Sequence, residues 1–179
     1  MGQIVAKFGG SSLSDAGQFA KVRDILLLDP NRVYVVPSAP GRRFDKDDKV
    51  TDLLYATFRT HRDGGDWQAV FARIEERYGE IARDLKLKLD VSAYLSQIKT
   101  DVENGASEDY CASRGEYLNG LLLADYLGYT FLDPKDFVFF HQDGTFDSEK
   151  TNDTLGAILA HTASAVIPGF YGVLPDGSI

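Results

Sequence analysis

The sequence predicts an α/β fold with a mostly parallel sheet and helices on both faces. Three observations carry this expectation. Short runs of apolar and β-branched residues alternate with longer stretches at helical spacing. The first two runs, Ile4–Phe8 and Arg32–Pro37, flank an amphipathic stretch at residues 15–28, which is a β–α–β unit. Both runs end in turn-forming clusters, Gly9-Gly10-Ser11-Ser12 and Ser38-Ala39-Pro40-Gly41. Those clusters fall at the carboxyl ends of the strands, where open α/β sheets place their ligand crevices.

Each element follows in chain order. Ile4–Phe8 reads as a buried strand, and Phe19, Val22, Ile25 and Leu26 give helical spacing to residues 15–28. Asp29-Pro30-Asn31 breaks that helix before the valine-rich second strand. Residues 42–49 carry charge at nearly every position and read as a solvated loop or as a mobile flap over the crevice. A helix opens at Thr51-Asp52-Leu53-Leu54 and ends near Asp63-Gly64-Gly65, and Asp66 can cap the next one. Trp67, Val70, Phe71, Ile74, Tyr78, Ile81 and Leu85 then form one helical stripe, which core packing explains. Tyr94, Leu95, Ile98 and Val102 mark a further helix, so residues 50–105 read as a helical insertion in the α/β frame.

Residues 108–127 predict a long helix stopped by Gly128, with a second half apolar nearly all round and therefore deeply buried. Short strands are expected at residues 130–132, 137–140 and 145–146, with Asp143-Gly144 as a hairpin turn. A helix at residues 152–163 and a buried strand at residues 165–167 lead into Pro168-Gly169-Phe170-Tyr171-Gly172. Leu174-Pro175-Asp176-Gly177-Ser178-Ile179 reads as strand, turn and the start of a return strand. The final segment is thus expected to be part of a longer protein.

With 179 residues the chain fits one domain or one lobe of a larger one, and 44% hydrophobic residues suffice for an ordinary core. A formal net charge of −8 argues against nonspecific binding to nucleic acid or to an anionic membrane. No apolar run approaches the roughly 20 residues of a spanning helix. Cys111 is the only cysteine, which precludes an intrachain disulfide and suits a reducing cytoplasm. His61, His141 and His161 lack metal-ligand spacing to one another or to Cys111, so no metal site is expected.

An acidic chain that binds an anion needs a local positive site, and Lys7 beside Gly9-Gly10 supplies one. Paired glycines let backbone N–H groups approach an anion, and a following helix aims its positive end there. The local reading is a phosphate cradle at Gly9, Gly10 and Ser11 with Lys7 as counter-charge, the alternative being a simple tight turn. It is not a P-loop, because Ser11-Ser12-Leu13 stands where Gly-Lys-Ser/Thr would be needed. Nor is it a dinucleotide fingerprint, since the second strand ends in Val35-Val36-Pro37-Ser38 with no carboxylate for a ribose. Glu116, in Ser113-Arg114-Gly115-Glu116 at the edge of the buried helix, needs a partner. That partner is either Arg114 or another protein cation, or a ligand ammonium.

Taken together, Ala6-Lys7-Phe8-Gly9-Gly10-Ser11-Ser12, Val36-Pro37-Ser38-Ala39, Val50-Thr51-Asp52-Leu53-Leu54, Ser113-Arg114-Gly115-Glu116 and Pro168-Gly169-Phe170-Tyr171-Gly172 resemble the aspartate kinases of the amino-acid kinase superfamily. The resemblance covers nearly the whole chain. It implies the amino-acid kinase fold and ATP-dependent phosphorylation of the β-carboxylate of L-aspartate, with Mg²⁺ accompanying ATP. By the same resemblance Lys7 stabilises the phosphoryl group in flight, and Gly9 and Gly10 hold phosphate oxygens. Glu116 takes the aspartate amino group, and Ser38, Thr51 and Phe170 line the amino-acid pocket. A homo-oligomer is implied for the complete protein.

The family pattern continues past the final hairpin into a Ser-Arg-Gly-Gly-Ser-Asp segment and a nucleotide-binding half. Residues 1–179 therefore read as a truncated amino-acid-binding lobe, expected to be inactive alone. Two other readings remain open at this stage. One is a kinase for a related acidic amino acid, and the other is a non-catalytic lobe that binds an amino acid or a partner chain.

Overall fold

The computed structural model describes residues 2–179. Four strands, β1 (Ile4–Phe8), β2 (Arg32–Pro37), β3 (Thr130–Phe131) and β4 (Ala165–Val166), form one sheet in the order β1-β2-β4-β3. Every pairing is parallel, with Val5 opposite Tyr34, Val35 opposite Val166, and Phe131 opposite Val166. The helices are α1 (Ala16–Leu27), α2 (Val50–Arg62), α3 (Trp67–Asp84), α4 (Val91–Glu103), α5 (Glu108–Leu127) and α6 (Ser148–Leu159). A short 3-10 turn at Gly10–Leu13 links β1 to α1.

The alternation of side chains along β2 assigns the layers. Val35 is fully buried in the main core with Leu118 and Leu122 of α5, and Phe19 of α1 meets Tyr126 of α5 edge to face. Tyr34 points to the opposite face, where its hydroxyl donates to the carbonyls of Leu159 and Thr162 at the end of α6. Helices therefore cover both faces, as expected. The first strand departs from expectation. β1 lies at the sheet edge, not in its middle, and its outward-facing Val5 is 63% exposed, with Ile4 and Lys7 also exposed. An apolar run records strand propensity but not position within a sheet.

The helical stripe of α3 buries Trp67, Phe71, Ile74, Tyr78 and Ile81, and α2, α3 and α4 pack against one another and on α5. Side-chain oxygens of Asp15, Asp66, Asp90 and Ser107 cap α1, α3, α4 and α5, giving orphan N–H groups a partner. At the far end of α5, Gly128 takes the left-handed conformation (φ 69°) that stops the helix. The final helix starts earlier than residue 152, at Ser148, because the Asp147 carboxylate accepts from the Lys150 amide at 3.0 Å. Two expected strands shrink to isolated bridges, Phe139 with Val173 and Phe140 with Phe146. The intervening turn forms as read, with Gly144 at φ 81° and its amide on the His141 carbonyl.

Two close contacts at Gly115 of α5 are among those that join the three-helix unit to the α/β frame. Gly115 sits where a Cβ would come within 2.8 Å of the Ala39 Cβ and 3.0 Å of Leu54 Cδ1, so only glycine permits this approach. The buried Tyr78 hydroxyl of α3 donates to the Gly115 carbonyl at 2.6 Å. Tyr78→Phe is expected to cost about 1 kcal/mol, the net worth of one neutral hydrogen bond. Phe71→Ala, which empties a fully buried site, is expected to cost roughly 3–5 kcal/mol. Urea unfolding of both variants checks the ratio.

Candidate functional site

The turn after β1 and the turn after β2 meet face to face. The Gly41 amide donates to the Gly10 carbonyl at 2.8 Å, and a Cβ on Gly10 would lie 2.7 Å from the Ala39 carbonyl oxygen and 3.0 Å from the Gly41 nitrogen. Gly9, in contrast, has nothing within 4 Å of its would-be Cβ, so its backbone is open to solvent and to a ligand. Above this contact lies a cleft of about 430 Å³. Gly10, Ser11, Ser38, Thr51 and Glu116 all line it, although they come from four separate stretches of chain.

Glu116 stands at the edge of the buried second half of α5. Its Oε2 accepts from the Gly169 amide at 3.0 Å, and the Ser38 hydroxyl and Phe170 amide also stabilise the carboxylate. Burial raises its pKa above the ordinary glutamate value, and these donors together with the charge of Lys7 pull it only part of the way back. Among the described residues Glu116 makes no ion pair within 4 Å. Arg114 is thus not its partner. That guanidinium is clasped by the rings of Tyr117 at 4.4 Å, Tyr110 at 4.5 Å and Tyr171 at 5.1 Å, and its Nε donates to Ser113 Oγ.

Lys7 occupies the exposed face of β1 opposite Val36, close enough for its charge to act on Glu116. Phe170 splits between two places. Its amide serves Glu116, whereas its half-exposed ring lines a neighbouring hollow of about 240 Å³ with Phe140, Tyr171 and Leu174. Three further residues belong to the cleft region. Arg42 and Lys49 line it as cations without an ion-pair partner among the described residues. Asn119 is fully buried on α5, and its amide nitrogen donates to the Ser38 carbonyl at 2.5 Å, fixing the turn after β2. An amide within the apolar run 117–124 was the available signal for Asn119. Arg42 and Lys49 were indistinguishable from the other charges of their loop.

The remaining reactive groups lie elsewhere. Burial pushes the Cys111 thiol up to about 11, so it is protonated and inert at neutral pH. His61 packs edge to face on Trp67, and His141 and His161 are exposed. Among the described residues no cluster of histidine, cysteine and carboxylate side chains converges to hold a metal, and no helix is long and apolar enough to cross a membrane.

The cleft thus brings together a half-buried carboxylate held by neutral donors, a glycine turn and the cations Arg42 and Lys49, while Lys7 and Gly9 lie outside its lining. The whole described chain, residues 2–179, matches the family model described as the amino acid kinase family, and the chain belongs to that family. Its relatives are aspartokinases. It is 31% identical over 191 aligned positions to aspartokinase 3 of Bacillus subtilis (strain 168), covering 98% of this chain and 42% of that protein. The aspartate kinase of Clostridium acetobutylicum superposes with a TM-score of 0.96 at 46% identity, over 99% of this chain and 41% of that one. Escherichia coli aspartokinase III in complex with aspartate and ADP shares the fold, with a TM-score of 0.80 at 22% identity over 98% of this chain and 42% of that one. The chain thus spans about two-fifths of the length of these relatives.

The glycine turn yields a paired test. Gly10→Ala is expected to destabilise the chain by about 1–3 kcal/mol through overpacking against backbone that cannot rotate away. Gly9→Ala, with open space around it, is expected to stay within about 0.5 kcal/mol of the parent. Thermal melts of the two variants measure the difference.

Proposed function

We propose that this chain is the amino-acid-binding lobe of an aspartate kinase, which uses ATP to phosphorylate the β-carboxylate of L-aspartate. The observation that carries the reading is Glu116: a half-buried carboxylate, opposite a phosphate-type turn, that neutral donors hold and no protein cation contacts within 4 Å among the described residues. A substrate ammonium supplies the missing positive charge. Ser38 and Thr51 line the space in which the remainder of an amino acid would lie. Similarity to aspartokinases, including one whose structure holds aspartate and ADP, supports the choice of substrate.

The chemistry asks little of the protein beyond placement and charge. The β-carboxylate is already ionised at neutral pH and attacks the γ-phosphorus directly, forming a carboxyl–phosphate anhydride while the bond to the ADP oxygen breaks. No general base is needed. Lys7, at the mouth of the turn, neutralises charge on the phosphoryl oxygens as they pass between the two oxygens in line. Backbone N–H groups at Gly9 and Gly10 hold phosphate oxygens from the other side. Mg²⁺ carried by ATP would supply further neutralisation; among the described residues no group of three or more His, Cys, Asp or Glu side chains converges to hold a metal by itself. Because the chain spans only about two-fifths of the relatives' length, the expected outcome for residues 1–179 alone is no aspartate-dependent turnover of ATP.

Lys7→Ala in the full-length protein is expected to lower kcat by about 10²-fold or more with little change in folding, since it removes a charge used in the transition state. A near-normal kcat excludes Lys7 from the reaction. Parallel assays with aspartate and glutamate decide the substrate.

Glu116→Gln is expected to weaken aspartate binding by about 10- to 100-fold, the worth of one charge-assisted hydrogen bond of about 1.5–3 kcal/mol. Stability should hold or rise slightly. The folded pKa of Glu116 lies above its unfolded value, so the native state retains this proton longer. Parent stability therefore falls as pH rises through that window, and the glutamine variant is spared the loss. Aspartate binding has the opposite dependence: it weakens as pH drops through the raised pKa, because a neutral carboxyl cannot pair an ammonium. KM and melting temperature across pH measure both. A large drop in melting temperature with unchanged KM makes Glu116 structural.

A further inference from the structure

The loop at residues 42–49 is not free. Its tip is exposed, with Phe44 60% accessible, yet Asp47 near its end is only 8% exposed. Asp47 accepts three hydrogen bonds from Arg43, from its amide, Nε and Nη2 at 2.9–3.2 Å, and one from Arg77 Nη2 at 2.5 Å. These donors hold its carboxyl well below the usual range. Arg43 Nη1 also reaches Glu80 on α3 at 2.8 Å, and Arg73 of α3 pairs with Asp48.

Arg77 is the centre of this network. It is 4% exposed, projects from α3, and grips the loop at both ends: Nη1 donates to the Gly41 carbonyl at 2.9 Å, and Nη2 to Asp47, with the Asp48 carbonyl at 3.4 Å. Gly41 is the residue whose amide bonds Gly10. An unbroken line therefore runs from the helical unit through Arg77 and Gly41 to the glycine turn. Between the two grips the chain carries Arg42, and just beyond them Lys49, the two unpaired cations that line the cleft. The Arg77 Nε is buried without a partner, so the fork is spent on the loop at a cost.

We infer that Arg77 is a positioning residue: it locks residues 41–49 so that Arg42 and Lys49 face the cleft and bind its anionic ligand. This goes beyond the proposed function and rests on it only for the choice of substrate. In this arrangement the helical unit sets substrate affinity through a buried ion pair, while the chemical step stays with groups on β1 and α5.

The test replaces Arg77 in the full-length protein by Met and by Lys. Arg77→Met is expected to raise KM for aspartate or ATP about 10-fold while kcat changes less than about threefold, because ground-state placement of the ligand is lost. Arg77→Lys, which keeps the charge but cannot hold both grips, is expected to recover part of that loss. Cleavage by chymotrypsin between Phe44 and Asp45, followed by fragment mass, is expected to run about 10-fold faster in Arg77→Met, since it reports the population of the open loop. Should Arg77→Met fail to fold, Asp47→Asn cuts the same link from the loop side and is expected to give the same pattern. Unchanged KM for both substrates, or unchanged cleavage, overturns the inference, as does a fall in melting temperature with neither. A parent protein that does not turn over aspartate refutes the proposed function instead, and the cleavage rates then decide the positioning claim on their own.

Discussion

The contact on which the rest of this structure depends is the meeting of two peptide backbones, at Gly10 and Gly41. Side chains normally keep adjacent strand ends apart. Here neither turn has a Cβ at the crossing point, and one hydrogen bond closes it. At the crossing point itself the two turns therefore meet backbone to backbone, with no side chain between them. The sheet order places these turns next to each other, because β1 and β2 are neighbours and parallel. Ligand-facing groups from both loops then share one opening without any long excursion of chain.

Helix α5 does the corresponding work on the other wall. It packs across β2, β3 and β4 and presents a different group at each step: Gly115 for close approach, Glu116 into the cleft, Asn119 to the turn after β2. Arg114 points away into its cage of tyrosines, whose third member, Tyr171, also hydrogen-bonds Asp133. The segment that carries Tyr171 carries Gly169 as well, the donor to Glu116. α5 and that segment are thus tied at two points on opposite sides of the helix. The direction of the Glu116 carboxylate is thus set by the protein's own contacts, which is what preorganisation requires.

Much of this was legible in the sequence, for physical reasons that vary by element. Helical periodicity survives in long segments, so α3 and α5 fall close to where spacing puts them. Short strands depend on partners, and the 137–140 run has the composition of a strand but only isolated bridges. The exposure of β1 was hidden because an apolar pattern does not reveal which strand lies at the edge. The glycine and serine loops were readable because few residue types suit such turns. Arg77 was invisible: it stands beside Tyr78 in an amphipathic helix, where an arginine ordinarily points to solvent, and only the fold brings Asp47 and Gly41 to it. Charge in a loop likewise says nothing of direction, so Arg42 and Lys49 merged with their neighbours.

Cys111 turns this architecture into an instrument. It sits five residues before Glu116 on the core side of α5, nearly inaccessible, with its thiol pushed up to about 11. At neutral pH roughly one thiol in 10⁴ is ionised at such a pKa, and the sulfur is shielded besides. Alkylation at this position therefore waits for α5 to lift from the sheet. The labelling rate reads the free energy of the opening that exposes α5, which for a helix this deep in the core approaches that of unfolding the chain. No residue need be replaced to obtain it, since this is the chain's only sulfhydryl.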